Sequence, residues 1–171
     1  MDASIHAEYT SNHLAVEAVA GFAREHRARM HVHISETRSE HEECKQRHGG
    51  KTPVMYFSDL GLFDVPATAA HCVWIEGEDF DILKEKGVTA AANPVSNLKL
   101  ASGVSNVPKM LDMGINVAIG TDSTASNNSL NFFEEMKVFA LASKTWYNDP
   151  KAVSPTQALY AATRAGALGQ G

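Results

Sequence analysis

Apolar and polar positions along this chain follow two rhythms, a strand period of two and a helix period near 3.6, and the rhythms take turns. The clearest period-of-two stretch is Met30 to Ile34, where His31 and His33 share one face and Val32 and Ile34 share the other. Glu36 follows His33 by three residues, just past the strand. Apolar runs end in polar residues three more times, at Ala67 to His71, Val88 to Asn93 and Asn116 to Asp122, so strand ends fall at 33, 71, 93 and 122.

Helical patterns fill the gaps. A helix from about Asn12 carries Val16, Val19, Ala20 and Ala23 as an apolar stripe, with Arg24, Arg27 and Arg29 on its other face. Thr37 to Glu40 reads as a capping box opening a polar helix that runs to about His48, stops at Gly49-Gly50 and leaves His41 and His48 at the surface. Lys51 to Asp59, Phe80 to Lys86 and Ser105 to Leu111 read as short helices. Pro94 is expected to hold Asn93 to Leu100 as a loop, and Ser123 to Ser129 is a tract of small polar residues. A long helix follows, with Leu130, Phe133, the Lys137 stem, Ala140 and Leu141 on one side. Ser154 to Gln157 is a second capping box, opening a helix that ends near Gly166.

Strand and helix in alternation predict an α/β fold with a parallel sheet and right-handed crossovers. A complete (β/α)8 barrel takes about 250 residues and eight strands. Four full units plus a strand remnant in residues 1 to 9 amount to half of one, so the expectation is a partial TIM-type half-barrel, a single domain over 1–171 that starts in mid-fold. The rival is a small doubly wound sheet, which commonly carries a G-x-G-x-x-G loop that this sequence lacks.

Composition narrows the chemistry. A net charge of -5 without a basic cluster argues against nucleic acid and for a small-molecule substrate. No apolar run approaches the ~20 residues that span a bilayer and no charged-then-apolar leader opens the chain, which predicts no membrane partner and a cytoplasmic protein. Cys44 and Cys72 are too few and too isolated for a disulfide framework or a C-x-x-C zinc site, so a metal here is held by nitrogen and oxygen. The same absence excludes the nucleobase deaminases built on H-x-E and P-C-x-x-C.

A histidine on a strand is most often a hydrogen-bonded core residue, and an aspartate after a strand most often a helix cap. Four successive strands that finish in His, His, Asn and Asp weigh the other way, because packing alone gives no reason to collect such groups on one rim. His33 suits a metal ligand and Glu36 a general acid/base.

Together His-x-x-Glu-Thr at 33 to 37, Ala-Ala-His-Cys at 69 to 72, Asn-Pro-x-Ser-Asn-Leu-Lys-Leu at 93 to 100 and Gly-Thr-Asp-Ser-x-Ala-Ser-Asn-Asn at 120 to 128 resemble the amidohydrolase superfamily. Within it they look most like 5-methylthioadenosine and S-adenosylhomocysteine deaminases and related chlorohydrolases. The resemblance implies strands 5 to 8 of the barrel. It makes His33, His71 and Asp122 metal ligands, and Glu36, Asp122 and His71 the catalytic groups, with Glu36 passing a proton between the attacking water and the leaving amine. It sets His6 against the substrate, and the amide-rich loop after the third of these strand ends adds Asn97 there. The implied cofactor is Zn2+, with Fe2+ or Mn2+ as alternatives, and the implied reaction is deamination of an adenine-like ring.

The family's first-strand His-x-His, two ligands of four, has no counterpart outside His31-Val32-His33, which Glu36 and the short distance to Asp122 assign to the fifth strand. His31 is then a packing or supporting residue. Other amidohydrolase activities, a chlorohydrolase or a guanine or cytosine deaminase, stay open. So does a catalytically silent half-barrel without metal, and the chain is expected either to form a homo-oligomer or to lack an N-terminal half.

Overall fold

Consecutive strands lie side by side in a computed structural model that describes residues 1–171. In chain order the elements are β1 (Asp2–Ser4), a 3-10 turn (Glu8–Thr10), α1 (His13–His26), β2 (Arg29–Ile34), α2 (Arg38–Arg47), α3 (Pro53–Asp59) and β3 (Ala67–His71). There follow α4 (Asp79–Glu85), β4 (Thr89–Ala92), α5 (Pro94–Lys99), α6 (Val107–Asp112), β5 (Val117–Ile119), α7 (Thr124–Asn127), α8 (Phe132–Trp146), α9 (Pro155–Ala162) and α10 (Arg164–Gln170). The sheet order is β1-β2-β3-β4-β5, and every pair is parallel. An order that never reverses has no topological switch point, which is the sheet of a barrel segment and not of the doubly wound rival.

Register brings the carboxyl ends of the strands to one rim: Ile34 pairs with His71 and Ala92 with Ile119. The two faces divide as alternation requires. Met30, Val32 and Ile34 are buried in the main core with Phe57, Leu83 and Met110, beneath the helices. His31 and His33 face the other way, into a cleft of about 460 Å³ lined also by Ala70, Ala91 and Ala118. Helix α10 floors that cleft near the amino ends of the strands: Asn116 Nδ2 donates to the Ala165 carbonyl at 3.0 Å, and Arg29 donates to the Gly169 carbonyl. The approach at Gly169 is close: a Cβ there would meet Thr89 Cγ2 at 3.0 Å.

Both capping boxes form as expected, at Thr37 with Glu40 and at Ser154 with Gln157. Several expectations are corrected. Asn93 to Leu100 is not a loop, because Pro94 sits at the first position of α5, where its missing N–H costs nothing. Arg27 ends α1 in a left-handed conformation at φ 52, and Arg29 lies within β2. His41 is buried, with Nδ1 3.0 Å from Ser35 Oγ and Nε2 3.3 Å from Glu76 Oε1. His48 is half-buried, stacked on Tyr56 and 2.7 Å from Glu8 Oε1. Helix α8 buries Glu135, Phe139 and Ser143, whereas Leu130, Phe133 and Leu141 are exposed. The segment expected to end near Gly166 is two helices, broken at Thr163. No helix is long and apolar enough to cross a membrane.

Candidate active site

Four non-glycine residues at the rim hold left-handed backbone conformations: Ser35 at φ 48, His71 at φ 71, Cys72 at φ 49 and Asp122 at φ 57. Such conformations are uncommon outside glycine and gather at functional sites, where they aim side chains off a regular strand. Glu40 supports the first of them. Its buried carboxylate accepts the backbone amides of Ser35 at 3.1 Å and Glu36 at 2.7 Å, fixing the turn that carries Glu36. Burial nevertheless pushes the Glu40 carboxyl up from its ordinary value.

His33 is tied to the end of β1. Its backbone amide and its Nδ1 both donate to the His6 carbonyl, at 2.9 and 2.8 Å. A carbonyl only accepts, so Nδ1 carries a proton and Nε2 is the nitrogen left unengaged. The His6 ring lies 4.8 Å from the His33 ring, centroid to centroid, and His6 Nδ1 is 3.0 Å from Thr10 Oγ1. His71 stacks on the opposite side of His33 at 5.2 Å. It is 1% exposed, and burial holds its pKa below the ordinary histidine value, so the ring is neutral near pH 7.

Glu36 bridges toward it. Ser102 Oγ donates to Glu36 Oε1 at 3.3 Å, and Glu36 Oε2 stands 3.6 Å from His71 Nε2, beyond hydrogen-bond reach. Asp122 is held by three donors: Ser96 Oγ at 2.6 Å, Ser126 Oγ at 2.8 Å and the Ser123 amide at 2.7 Å. Burial alone raises its pKa, but these hydrogen bonds together bring it below the usual aspartate value, so it is a carboxylate. Asn97, expected at the substrate, is buried with its amide oxygen 2.8 Å from His71 Nδ1. His31 lies deeper in the cleft, 6.3 Å from the His33 ring, its pKa lowered chiefly by burial.

The donor set fits a borderline metal such as zinc. Two imidazoles have Nδ1 engaged on oxygen and Nε2 free, and one anionic carboxylate is oriented by outer hydrogen bonds, the support that metal ligands require. The trio of ligand-type side chains whose donor atoms all lie within 4.8 Å of one another is a different one, Glu8, Cys44 and His48. There Arg47 already pairs with Glu8, and burial pushes the Cys44 thiol up to about 12, so that trio is an ion-paired clamp.

Sequence points to Glu40 only as the glutamate of a capping box, and to neither Ser102 nor Ser96. Ser96 sits inside a quoted motif and could have been singled out. Ser102 carries no signal, because only the fold brings it to Glu36.

A family model described as "Amidohydrolase family" matches residues 2–170. A 5-methylthioadenosine/S-adenosylhomocysteine deaminase of Thermoanaerobacter pseudethanolicus is 49% identical over 162 residues, covering 95% of this chain and 37% of that protein. A 5'-deoxyadenosine deaminase of Methanopyrus kandleri is 44% identical over 164 residues, covering 95% of this chain and 38% of that protein. Among solved structures, an adenosine deaminase from Xanthomonas campestris with bound zinc superposes with a TM-score of 0.91 at 34% identity, over 96% of this chain and 37% of that one. The chain thus spans well under half the length of the relatives it matches.

Proposed function

The chain belongs to the amidohydrolase family, and from that premise we propose that it supplies the carboxyl-terminal part of a hydrolytic deaminase acting on an adenine-like ring. In this reading β2 to β5 are strands 5 to 8 of the barrel. The observation that carries it is the gathering of His33, Glu36, His71 and Asp122 on one rim of consecutive parallel strands. The deaminase names of the relatives support the reaction class.

His33, His71 and Asp122 would hold the metal, zinc first and Fe2+ or Mn2+ second. Bound zinc supplies water acidified enough to attack near neutral pH. Glu36 would accept a proton from the attacking water and return one to the departing amino group, so that water and an aminopurine become an oxopurine and ammonia. Ser102 holds Oε1 of Glu36 and leaves Oε2 free for this transfer. His71, neutral and buried, keeps its Nε2 toward the same space. The exposed ring of His6, beside His33, faces the substrate from the end of β1. A cleft of about 460 Å³ is in the range of small-molecule sites.

The test is a graft. Residues 2–170 replace the matching segment of the Thermoanaerobacter relative, and ammonia release is followed with adenosine, 5'-deoxyadenosine, methylthioadenosine and S-adenosylhomocysteine. The graft should turn over at least one of them, and Glu36→Gln should lower kcat at least ~10²-fold, as expected for loss of a general acid/base. Wild-type turnover by the variant would sink the assignment.

A second reading, a half-barrel silent on its own, is favoured by the spacing of the donors. His33, His71 and Asp122 share a rim without closing to within 4.8 Å of one another. It predicts that the isolated chain, dialysed against zinc and then desalted, retains less than one zinc by elemental analysis. One tightly held zinc per chain overturns it.

A further inference from the structure

Helix α5 puts two adjacent buried side chains onto two different strand ends. Ser96 Oγ reaches Asp122 Oδ2, and Asn97 Oδ1 reaches His71 Nδ1 at 2.8 Å. We propose that Asn97 is a positioning residue for His71: its amide oxygen accepts the Nδ1–H and so locks the ring in the tautomer whose Nε2 carries the lone pair.

The argument is one of donors and acceptors. An amide oxygen cannot donate, so a contact of 2.8 Å to Nδ1 requires the proton on the ring. No acceptor in the structure claims a proton on the other nitrogen, since Glu36 Oε2 lies 3.6 Å from Nε2. The second group near Nδ1, Asn93 Nδ2, is a donor that opposes a proton there, but over a longer 3.3 Å against the 2.8 Å contact to Asn97 Oδ1. The Asn93 amide oxygen is turned to Gly120, where a Cβ would collide with it, so a close approach at glycine sets which way that amide points. Nor is the ring free to choose another partner. His71 is 1% exposed, its backbone stands at φ 71, and Ser105 Oγ donates to its carbonyl at 2.6 Å.

With the Asn97 amide turned the other way, its Nδ2 would donate to Nδ1 and force the proton onto Nε2, which would then present N–H to the rim in place of a lone pair. The two orientations give opposite chemistry at the same nitrogen, and they differ in a spectrum. The consequence for metal binding rests on the reading given under Proposed function, whereas the tautomer does not.

Long-range 1H–15N imidazole spectra of the metal-free chain at about pH 8, above the ordinary histidine range, report the tautomer directly, with the His71 signals assigned by their loss in His71→Gln. The wild type should show the Nδ1–H pattern. Asn97→Asp, which keeps an acceptor oxygen, should keep the proton on Nδ1. Asn97→Ala, which has none, should give the Nε2–H or an averaged pattern. An Nε2–H or averaged pattern in the wild type overturns the proposal, and so does an Asn97→Ala spectrum identical to wild type. Should Asn97→Ala fail to fold, the wild type and Asn97→Asp still decide. If the proposed deaminase reading fails instead, Glu36→Gln keeps full turnover in the graft while the His71 tautomer stays as described.

Discussion

Glu135 is a carboxylate almost wholly out of water whose partners are neutral: Asn127 Nδ2 and the backbone amide of Val95. Burial raises its pKa above the ordinary 4.5, against the pull of those hydrogen bonds. Because the folded pKa lies above the unfolded one, the folded state holds the proton more tightly, and stability falls as pH rises through that interval. Glu135→Gln removes the titration. Urea unfolding of both proteins from about pH 4.5 upward should therefore show the stability difference moving in favour of the variant as pH increases, and a difference independent of pH would contradict the account. At this scale the site was partly legible from sequence. His33, His71 and Asp122 stand out because each closes an apolar run, and Glu36 because it follows His33 by three residues, and the structure sets all four on one rim. Of the groups that hold them, Ser102 did not stand out, and Asn97 stood out only as a substrate contact. Ser102 meets Glu36 across 66 positions of sequence, and Asn97 meets His71 across 26, pairings that only tertiary structure creates.

Helix α8 shows why an element can be found and its facing missed. Its apolar residues fall on more than one side, and the side it buries contains a glutamate and a serine. Glu135 is inside because it accepts from α5 and α7, and Ser143 because its hydroxyl donates to the Phe139 carbonyl at 2.8 Å. Counting hydrophobicity alone misplaces most of this face: Ala140 of the expected stripe packs against the core, whereas Phe133 and Leu141 are exposed. Two substitutions measure the facing. Phe139→Ala should cost roughly 3–5 kcal/mol in urea unfolding, the range for a buried aromatic. Phe133→Ser, at a position 81% exposed, should change stability by no more than about 0.5 kcal/mol. Equal costs would mean that α8 packs through both faces. The same distinction applies to α5, where a proline read as a breaker starts a helix, since the rule against proline holds only inside one.

For the whole molecule, the governing fact is a parallel sheet whose two outermost strands, β1 and β5, each have one neighbour. Closure is what removes strand edges in a barrel, and a polypeptide of residues 1–171 alone has both edges as rows of backbone donors and acceptors available to another chain. The helical layer adds uncovered apolar surface at Phe133, Leu141, Leu159 and Leu168. Edge and surface together favour a second copy of the chain as the partner of least requirement, because like-with-like pairing needs no new sequence. We therefore expect light scattering after gel filtration to give a mass above the monomer's 18.5 kDa, increasing with concentration between about 1 and 100 μM. A monodisperse monomer over that range would count against it. Adding the remaining, non-matching part of the Thermoanaerobacter relative separates general stickiness from complementarity. A polypeptide able to continue the sheet on both edges should displace self-association and yield a complex of one copy each, whereas an unrelated soluble domain should leave the distribution unchanged.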